Sequence, residues 1–190
     1  MVPTPVMAEA DAPIRIHQRR RPRSATRGMI AAWTSLCALL ATTVLWPSRP
    51  LLVWNASPSS AKGLYLVVPR TRFARGDTVV AWPPPAGAKI AVARGYLPRG
   101  VPLVKTVMAS SGNRICARGS QMDLATDLAV MRLRSDRAGR ALPWWHGCRA
   151  LGRDEVLLLG LTDPASFDGR YFGPTDVAQI IGKARLLWPA

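Results

Sequence analysis

The chain falls into three patterns of apolar and polar positions. Residues 1–27 show no apolar periodicity. They hold four prolines and Arg15, Arg19, Arg20, Arg21, Arg23 and Arg27, which predicts a basic arm with no fold of its own. From Gly28 to Ser48, the 21 residues between Arg27 and Arg49, no charge occurs, and Met29 to Trp46 is apolar apart from Thr and Ser. Beyond Arg49 the pattern turns to short β-type runs separated by turn residues: Gly63 to Val68, Thr78 to Trp82, Val101 to Met108, Arg114 to Ala117, Ala129 to Leu133, Glu155 to Leu159 and Gly182 to Trp188. Pro83, Pro84 and Pro85 end one run, and Ala86 to Arg94 predicts a helical turn or two. The Arg-rich stretch from Gly119 to Gly152 reads as an insertion or edge segment. The expected fold is a mainly β domain.

As a helix the uncharged segment would span roughly 31 Å, about the thickness of a bilayer hydrocarbon core. Trp33 and Trp46 stand toward its two ends, and the arginines precede it, so the positive-inside rule places the N-terminus in the cytoplasm. A cleaved signal peptide is the competing reading, but its apolar core is ordinarily shorter, and Pro47-Ser48-Arg49-Pro50 makes a poor exit for a leader peptidase. A buried helix of a soluble domain is a third. Length and flanks favour a single transmembrane helix, giving a cytoplasmic arm over 1–27, an anchor over 28–48 and a periplasmic domain over 49–190.

Charge changes the picture of partners. Lys and Arg number 26 against 11 Asp and Glu, a net of +15, which favours anionic surfaces, lipid or nucleic acid among them. With 48% apolar residues and seven Trp the chain is nonetheless built to pack. Three Cys and two His are too few for a disulfide-dense scaffold or a multi-zinc protein. Phosphate-loop, dinucleotide and His-Glu-x-x-His motifs are all missing, and His146 alone, outside the arm, is left to staff a histidine triad, with no Gly-x-Ser-x-Gly elbow to serve. No cofactor or metal is expected.

Lysine is more informative. Only Lys62, Lys89, Lys105 and Lys183 interrupt the use of Arg, and Lys105 falls inside a β-type run, on the face shared by Val101, Leu103 and Val107. An ammonium there is poorly solvated, and desolvation lowers its pKa toward the neutral amine that a general base requires. A snorkelling lysine on a half-exposed sheet is the plain alternative. The cluster Ser57, Ser59 and Ser60 precedes a strand, where an ordinary loop and a nucleophile loop read alike.

Taken in order, Asn55-x-Ser57-x-Ser59 with Gly63-Leu64-Tyr65, Gly76-Asp77, Leu103 to Val107 with Gly112 to Ile115, Ser166 to Pro174 and Gly182-Lys183-Ala184 resemble the type I signal peptidases. The short domain, the Gly95-Tyr96-Leu97-Pro98 run and the Arg170-Tyr171-Phe172-Gly173-Pro174 close resemble most the conjugative-transfer members of that family. The resemblance implies a signal-peptidase-like β domain, Ser59 as nucleophile, Lys105 as general base, Ser57 as side-chain donor of the oxyanion hole beside the Ser59 N–H, and Ser166, Asp168 and Arg170 as the supporting box. Departures stand at Ser60 and Ala61, where an apolar residue and Pro are common, at Ser111 and Asn113, where Pro and Asp are usual, and at Gly169, where Ser is frequent. They imply a less rigid serine loop and leave Ser60 as a rival nucleophile.

The resemblance further implies a membrane-anchored endopeptidase acting on an exported precursor, a conjugative pilin, with cyclisation by transpeptidation open beside hydrolysis, since water and amines both resolve an acyl-enzyme. A general type I signal peptidase is the nearest alternative. A membrane-tethered nucleic-acid-binding protein of a transfer apparatus is the alternative from another class, although residues 49–190, with 20 Lys and Arg against 9 Asp and Glu and thus a net of +11, show no aromatic-interleaved motif and no nucleic acid is expected. Cys116 and Cys148 both fall in the exported part, where an oxidising compartment favours a disulfide over a Cys116–His146–Cys148 metal site.

Overall fold

The computed structural model describes residues 23–45, 50–124 and 128–190, with side chains over 28–41 in the first of these. The chain divides into two units, Met1–Ser48 and Arg49–Ala190. In the first, helix α1 runs over Arg23–Leu45. Its described apolar side chains Met29, Ile30, Trp33 and Leu36 are exposed. Among the described residues no helix is long and apolar enough to cross a membrane. Most of the expected arm, residues 1–22, and the end of the expected anchor, 46–48, lie outside the described residues.

The second unit is built on a seven-stranded antiparallel sheet. Its strands are β1 (Leu52–Asn55), β2 (Gly63–Val68), β3 (Thr78–Ala81), β4 (Leu103–Ala109), β9 (Glu155–Leu159), β10 (Thr175–Asp176) and β11 (Ile180–Pro189), in the spatial order β1-β2-β11-β3-β4-β9-β10. A smaller sheet of β5 (Arg114–Arg118), β6 (Gln121–Leu124), β7 (Leu128–Met131) and β8 (Gly147–Ala150), ordered β7-β6-β5-β8, is inserted between β4 and β9.

Side-chain periodicity explains which faces are covered. Along β2, Tyr65 and Val67 are buried while Leu64 and Leu66 are half-buried, the alternation of a strand with one packed face. In β9 the four residues Val156 to Leu159 are all buried, because the two faces serve different cores. Val156 and Leu158 join Val79, Ala81, Val107 and Ile180, whereas Leu157 and Leu159 join Ile115, Ala117, Met122 and Leu124 of the inserted sheet. The insert is therefore packed onto the main sheet through β9 and the end of β4. Cys116 and Cys148 face each other in the β5–β8 register and are joined by a disulfide.

Differences from the expected elements have local causes. The run expected from Val101 begins at Leu103, since Pro102 has no N–H to give a ladder. The insert starts at Arg114 rather than Gly119 and is a sheet of its own. Strands β1, β6, β8 and β10 carry little apolar alternation: β6 is Gln-Met-Asp-Leu and β8 Gly-Cys-Arg-Ala, sequences held in strands by their neighbours more than by propensity. Two helices sit beside the sheet. Helix α2 (Pro85–Ala93) starts with proline at its first turn, and α3 (Gly169–Phe172) is capped by the Asp168 carboxylate, which accepts from the Arg170 N–H. They touch where a Cβ on Gly87 would lie 2.9 Å from the Phe172 ring.

Candidate active site

The serine loop links β1 to β2 and is organised by the last residue of β1. Asn55 is buried, and its Nδ2 donates to the carbonyl oxygens of Ser57 at 3.0 Å, Ser60 at 3.2 Å and Ala61 at 3.0 Å, while its Oδ1 accepts from the Ser57 N–H at 3.1 Å. The Tyr65 hydroxyl, from β2, donates to the Ala61 carbonyl at 2.7 Å. Gly63 closes the loop with φ of 140°, where a Cβ would stand 2.1 Å from the Trp188 carbonyl oxygen. The loop is thus pinned from both strands, which corrects the looseness expected from Ser60 and Ala61.

These contacts also separate the two rival serines. Ser60 Oγ donates to the Val104 carbonyl at 3.0 Å and is used up in holding the loop to β4. Ser59, 3% exposed, points its Oγ at Lys105, whose Nζ lies 2.6 Å away. Ser57 is exposed; its Oγ is 3.0 Å from Ser59 Oγ and accepts from the Ser59 N–H at 3.3 Å.

Lys105 sits in the middle of β4 opposite Val79 of β3, on the face of Val107 and Leu158. The apolar surroundings differ from those expected: Val101 lies outside the strand and is 40% exposed, and Leu103 is half-buried. Its Nζ makes a second contact with Ser166 Oγ at 2.7 Å, so the amine lies between two hydroxyls and, among the described residues, has no carboxylate in contact. Burial pushes its pKa down to about 8; Asp168 and Asp163 nearby oppose the shift and Arg170 adds to it.

The loop from Gly160 to Asp168, which follows β9, delivers Ser166. Asp168 is fully buried and forms a two-pronged pair with Arg170: Nε donates to Oδ1 at 2.9 Å and Nη2 to Oδ2 at 2.7 Å. The pair then fastens the loop, for Asp168 Oδ2 accepts from the Gly160 N–H at 2.8 Å and Arg170 Nη2 donates to the Gly160 carbonyl at 3.0 Å. Gly160 is where the two hydroxyl-bearing loops meet. A Cβ there would lie 2.5 Å from Ser166 Oγ and 2.7 Å from Ser59 Cβ. Thr162 Oγ1 donates to the Pro58 carbonyl and ties the loops again.

Ser57, Ser59, Lys105 and Ser166 line a cavity of about 630 Å³, walled by the segment after α2, the start of β4 and a turn of the inserted sheet. His146 is exposed against Trp144 and does not line it. Among the described residues no group of three or more His, Cys, Asp or Glu is placed to hold a metal ion, and Cys116 and Cys148 are spent on each other. Asn55 and Gly160 are the positioning residues that sequence reasoning left without a role. Asn55 had a signal, a lone amide ending an apolar run before a serine-rich loop; Gly160 had none. Chemically, a hydroxyl at hydrogen-bond distance from a buried amine with lowered pKa is an arrangement that can support nucleophilic attack.

Known proteins share this arrangement of sequence. The chain is 32% identical over 146 residues to the plasmid transfer protein TraF of Escherichia coli, covering 70% of this chain and 82% of the relative. It is 34% identical over 146 residues to the conjugal transfer protein TraF of Agrobacterium fabrum, covering 69% and 78%. Among solved structures, a signal peptidase I from Enterococcus faecalis aligns with a TM-score of 0.35 at 14% identity, over 59% of this chain and 96% of that one. The family model described as signal peptidase, peptidase S26, matches residues 25–189. With nearly the whole of its length so matched, and with a mainly β domain that brings a serine and a lysine together, the chain belongs to the S26 signal peptidase family of serine peptidases.

Proposed function

We propose that the protein is a membrane-anchored Ser/Lys endopeptidase in which Ser59 is the nucleophile and Lys105 the general base. The observation that carries this is the 2.6 Å contact between Ser59 Oγ and the buried Lys105 amine. With the amine neutral, the serine hydroxyl is the donor across that contact, already aligned to give up its proton. Ser59 Oγ then attacks the scissile carbonyl as Lys105 takes the proton, and the oxyanion is met by the Ser57 hydroxyl and the Ser59 N–H. Those two groups are paired with each other here at 3.3 Å, a long contact that a substrate oxygen can replace. Lys105 next protonates the leaving amine, which departs and leaves the acyl group on Ser59. Water or a second amine attacks that ester while Lys105 accepts the proton and returns it to Ser59 Oγ. Ser166 holds the amine in line throughout, on a loop fixed by Asp168 and Arg170.

The substrate in this reading is an exported precursor cut close to the membrane. The relatives' names as plasmid and conjugal transfer proteins favour a conjugative pilin over the targets of a general signal peptidase. Cyclisation follows if the resolving amine is the substrate's own. A single-pass inner-membrane anchor over 28–48, with the domain in the periplasm, is supported by the uncharged segment and the arginines before it. An apolar line across β1, β2 and β11, with exposed Trp54 and Trp188 on either side of half-buried Leu64, suits a domain that works at a lipid surface. The test is cleavage of a pilin precursor by the wild type and by Ser59→Ala in membranes. Processing by the wild type and none by the variant is expected; equal processing by both would exclude Ser59.

A further inference from the structure

The cavity that holds Ser59 and Lys105 has a second built end. After β7 the chain makes a turn closed by a bridge between Ser135 and Ala141. Asp136 organises it: Oδ1 accepts from the Ala138 and Arg140 N–H groups, each at 2.9 Å, and Oδ2 accepts from Arg140 Nε at 2.7 Å and from the Tyr96 hydroxyl. Tyr96 first, then the Arg140 donors, hold this carboxyl well below the usual carboxylate range. The turn is also fastened to the segment after α2, since Arg94 Nη1 donates to the Ala141 carbonyl at 2.9 Å and Arg140 Nη2 to the Arg94 carbonyl at 3.2 Å.

Three arginines, Arg94, Arg137 and Arg140, therefore stand among the residues that line the cavity, together with Asp136 and Asp163. Asp136 has both oxygens filled by the turn's own donors and Tyr96. Asp163 gives one oxygen to the Ala165 N–H at 2.9 Å and the other to Arg137 Nη2 at 3.1 Å. The Arg137 side chain remains 76% exposed. A lone surface arginine is ordinarily only solvated. Here Arg140 is fixed by a carboxylate with no capacity left, Arg94 is held by the Ala141 carbonyl, and Arg137, on the same short turn as Arg140, is braced to the loop that carries Ser166.

We propose that this end of the cavity is a carboxylate-binding subsite in which Arg137, backed by Arg94 and Arg140, selects substrates that carry a carboxylate close to the cleaved bond. Planar guanidinium donors recognise a carboxylate through paired charge-assisted hydrogen bonds, which a neutral amide does not reproduce. The inference rests on the reading of the cavity as the substrate cleft, so its test measures binding and not turnover.

Full-length Ser59→Ala protein in detergent micelles is titrated with fluorescent Ala-rich peptides, N-acetylated and C-amidated, in which one Glu is moved along the chain, each with a Gln twin. A free-acid peptide without Glu separates a terminal carboxylate from a side chain. One Glu register, or the free acid, is expected to bind about tenfold tighter than its neutral twin, with the difference shrinking as salt rises. Arg137→Gln should erase the difference, and Arg137→Glu should turn it into a preference for Lys. Equal binding of every charged and neutral pair, no saturable binding by any charged peptide, or a preference that survives Arg137→Gln in a protein with wild-type melting would each overturn the subsite. Failure of the Ser/Lys chemistry would appear instead in the precursor-cleavage assay, which these outcomes leave untouched.

Discussion

Lys105 shows how burial shifts the proton equilibrium of one side chain. Its pKa is lowered to about 8 by burial, against an ordinary value of 10.5. Below pH 8 folded and unfolded chains both hold the proton, so the penalty of burying the charge is present in full; between 8 and 10.5 the unfolded chain binds more protons, and stability rises with pH. Activity should rise over the same approach to neutrality, with kcat/KM for precursor cleavage climbing through about pH 8. A flat profile from pH 6 to 10 would show that the amine does not act as base. Lys105→Arg keeps the charge and cannot take the proton, so turnover should fall by roughly 10²–10⁴-fold in a protein that still folds. Variants of Lys62, Lys89 and Lys183, all exposed, should keep most of it. Gly160→Ala tests the same cluster from the side: a methyl 2.5 Å from Ser166 Oγ and 2.7 Å from Ser59 Cβ must displace one of them. Cleavage should drop more than about tenfold for a loss of about 1–3 kcal/mol in unfolding free energy.

At the scale of elements, loops are held by single polar residues that reach several carbonyls at once. Asn55→Ala would strip three carbonyl partners and one N–H partner from the serine loop, and the expected loss is about 1–3 kcal/mol together with most of the activity. A melting curve and a cleavage rate on the same preparation check it; an unchanged rate would mean that the loop keeps its shape without the amide. The inserted sheet reaches the site in a comparable way. Trp145 Nε1 donates to the Gly169 carbonyl at 3.1 Å, between the Asp168 and Arg170 pair, and the Tyr171 hydroxyl accepts from the Leu133 N–H at 2.9 Å. Behind them Arg132, buried against the Trp144 and Trp145 rings, donates to the Trp145 carbonyl at 2.8 Å. Across the sheet itself the Cys116–Cys148 bond closes a sequence separation of 32 residues, and the chain-entropy model puts its effect at roughly 3–4 kcal/mol. Under denaturing conditions without reductant, thiol titration should find Cys37 alone, and three thiols after reduction. Three at the outset would remove the bond.

For the whole molecule, charge and the uncharged segment act together. A basic domain beside anionic lipid gains about 1 kcal/mol for each well-placed charge, which would reinforce an anchor over 28–48. A reporter fused after Ala190 should be active only when it is of the kind that works in the periplasm; activity of a cytoplasmic reporter would reverse the topology. The amino-acid sequence by itself determined the mainly β character of residues 49–190, the uncharged segment before them and the candidacy of Ser59 and Lys105. The first two are written in local period and charge spacing; Lys105 stands out as a lysine inside an apolar run, and Ser59 only through the resemblance to the type I signal peptidases. Tertiary structure decided the rest. Ser59 and Ser60 are set apart by the Lys105 amine beside Ser59 and by the Val104 carbonyl that takes the Ser60 hydroxyl, 44 residues along the chain. The environment that lowers the Lys105 pKa comes mainly from strands and loops distant in sequence, and Val101, from its own run, contributes little because the strand starts after Pro102. Gly160 and Arg137 are ordinary loop residues in the sequence. Tertiary structure sets Gly160 against Ser59 and places Arg137 on the cavity that Ser59 also lines, and contacts across such separations leave no period for a linear pattern to carry.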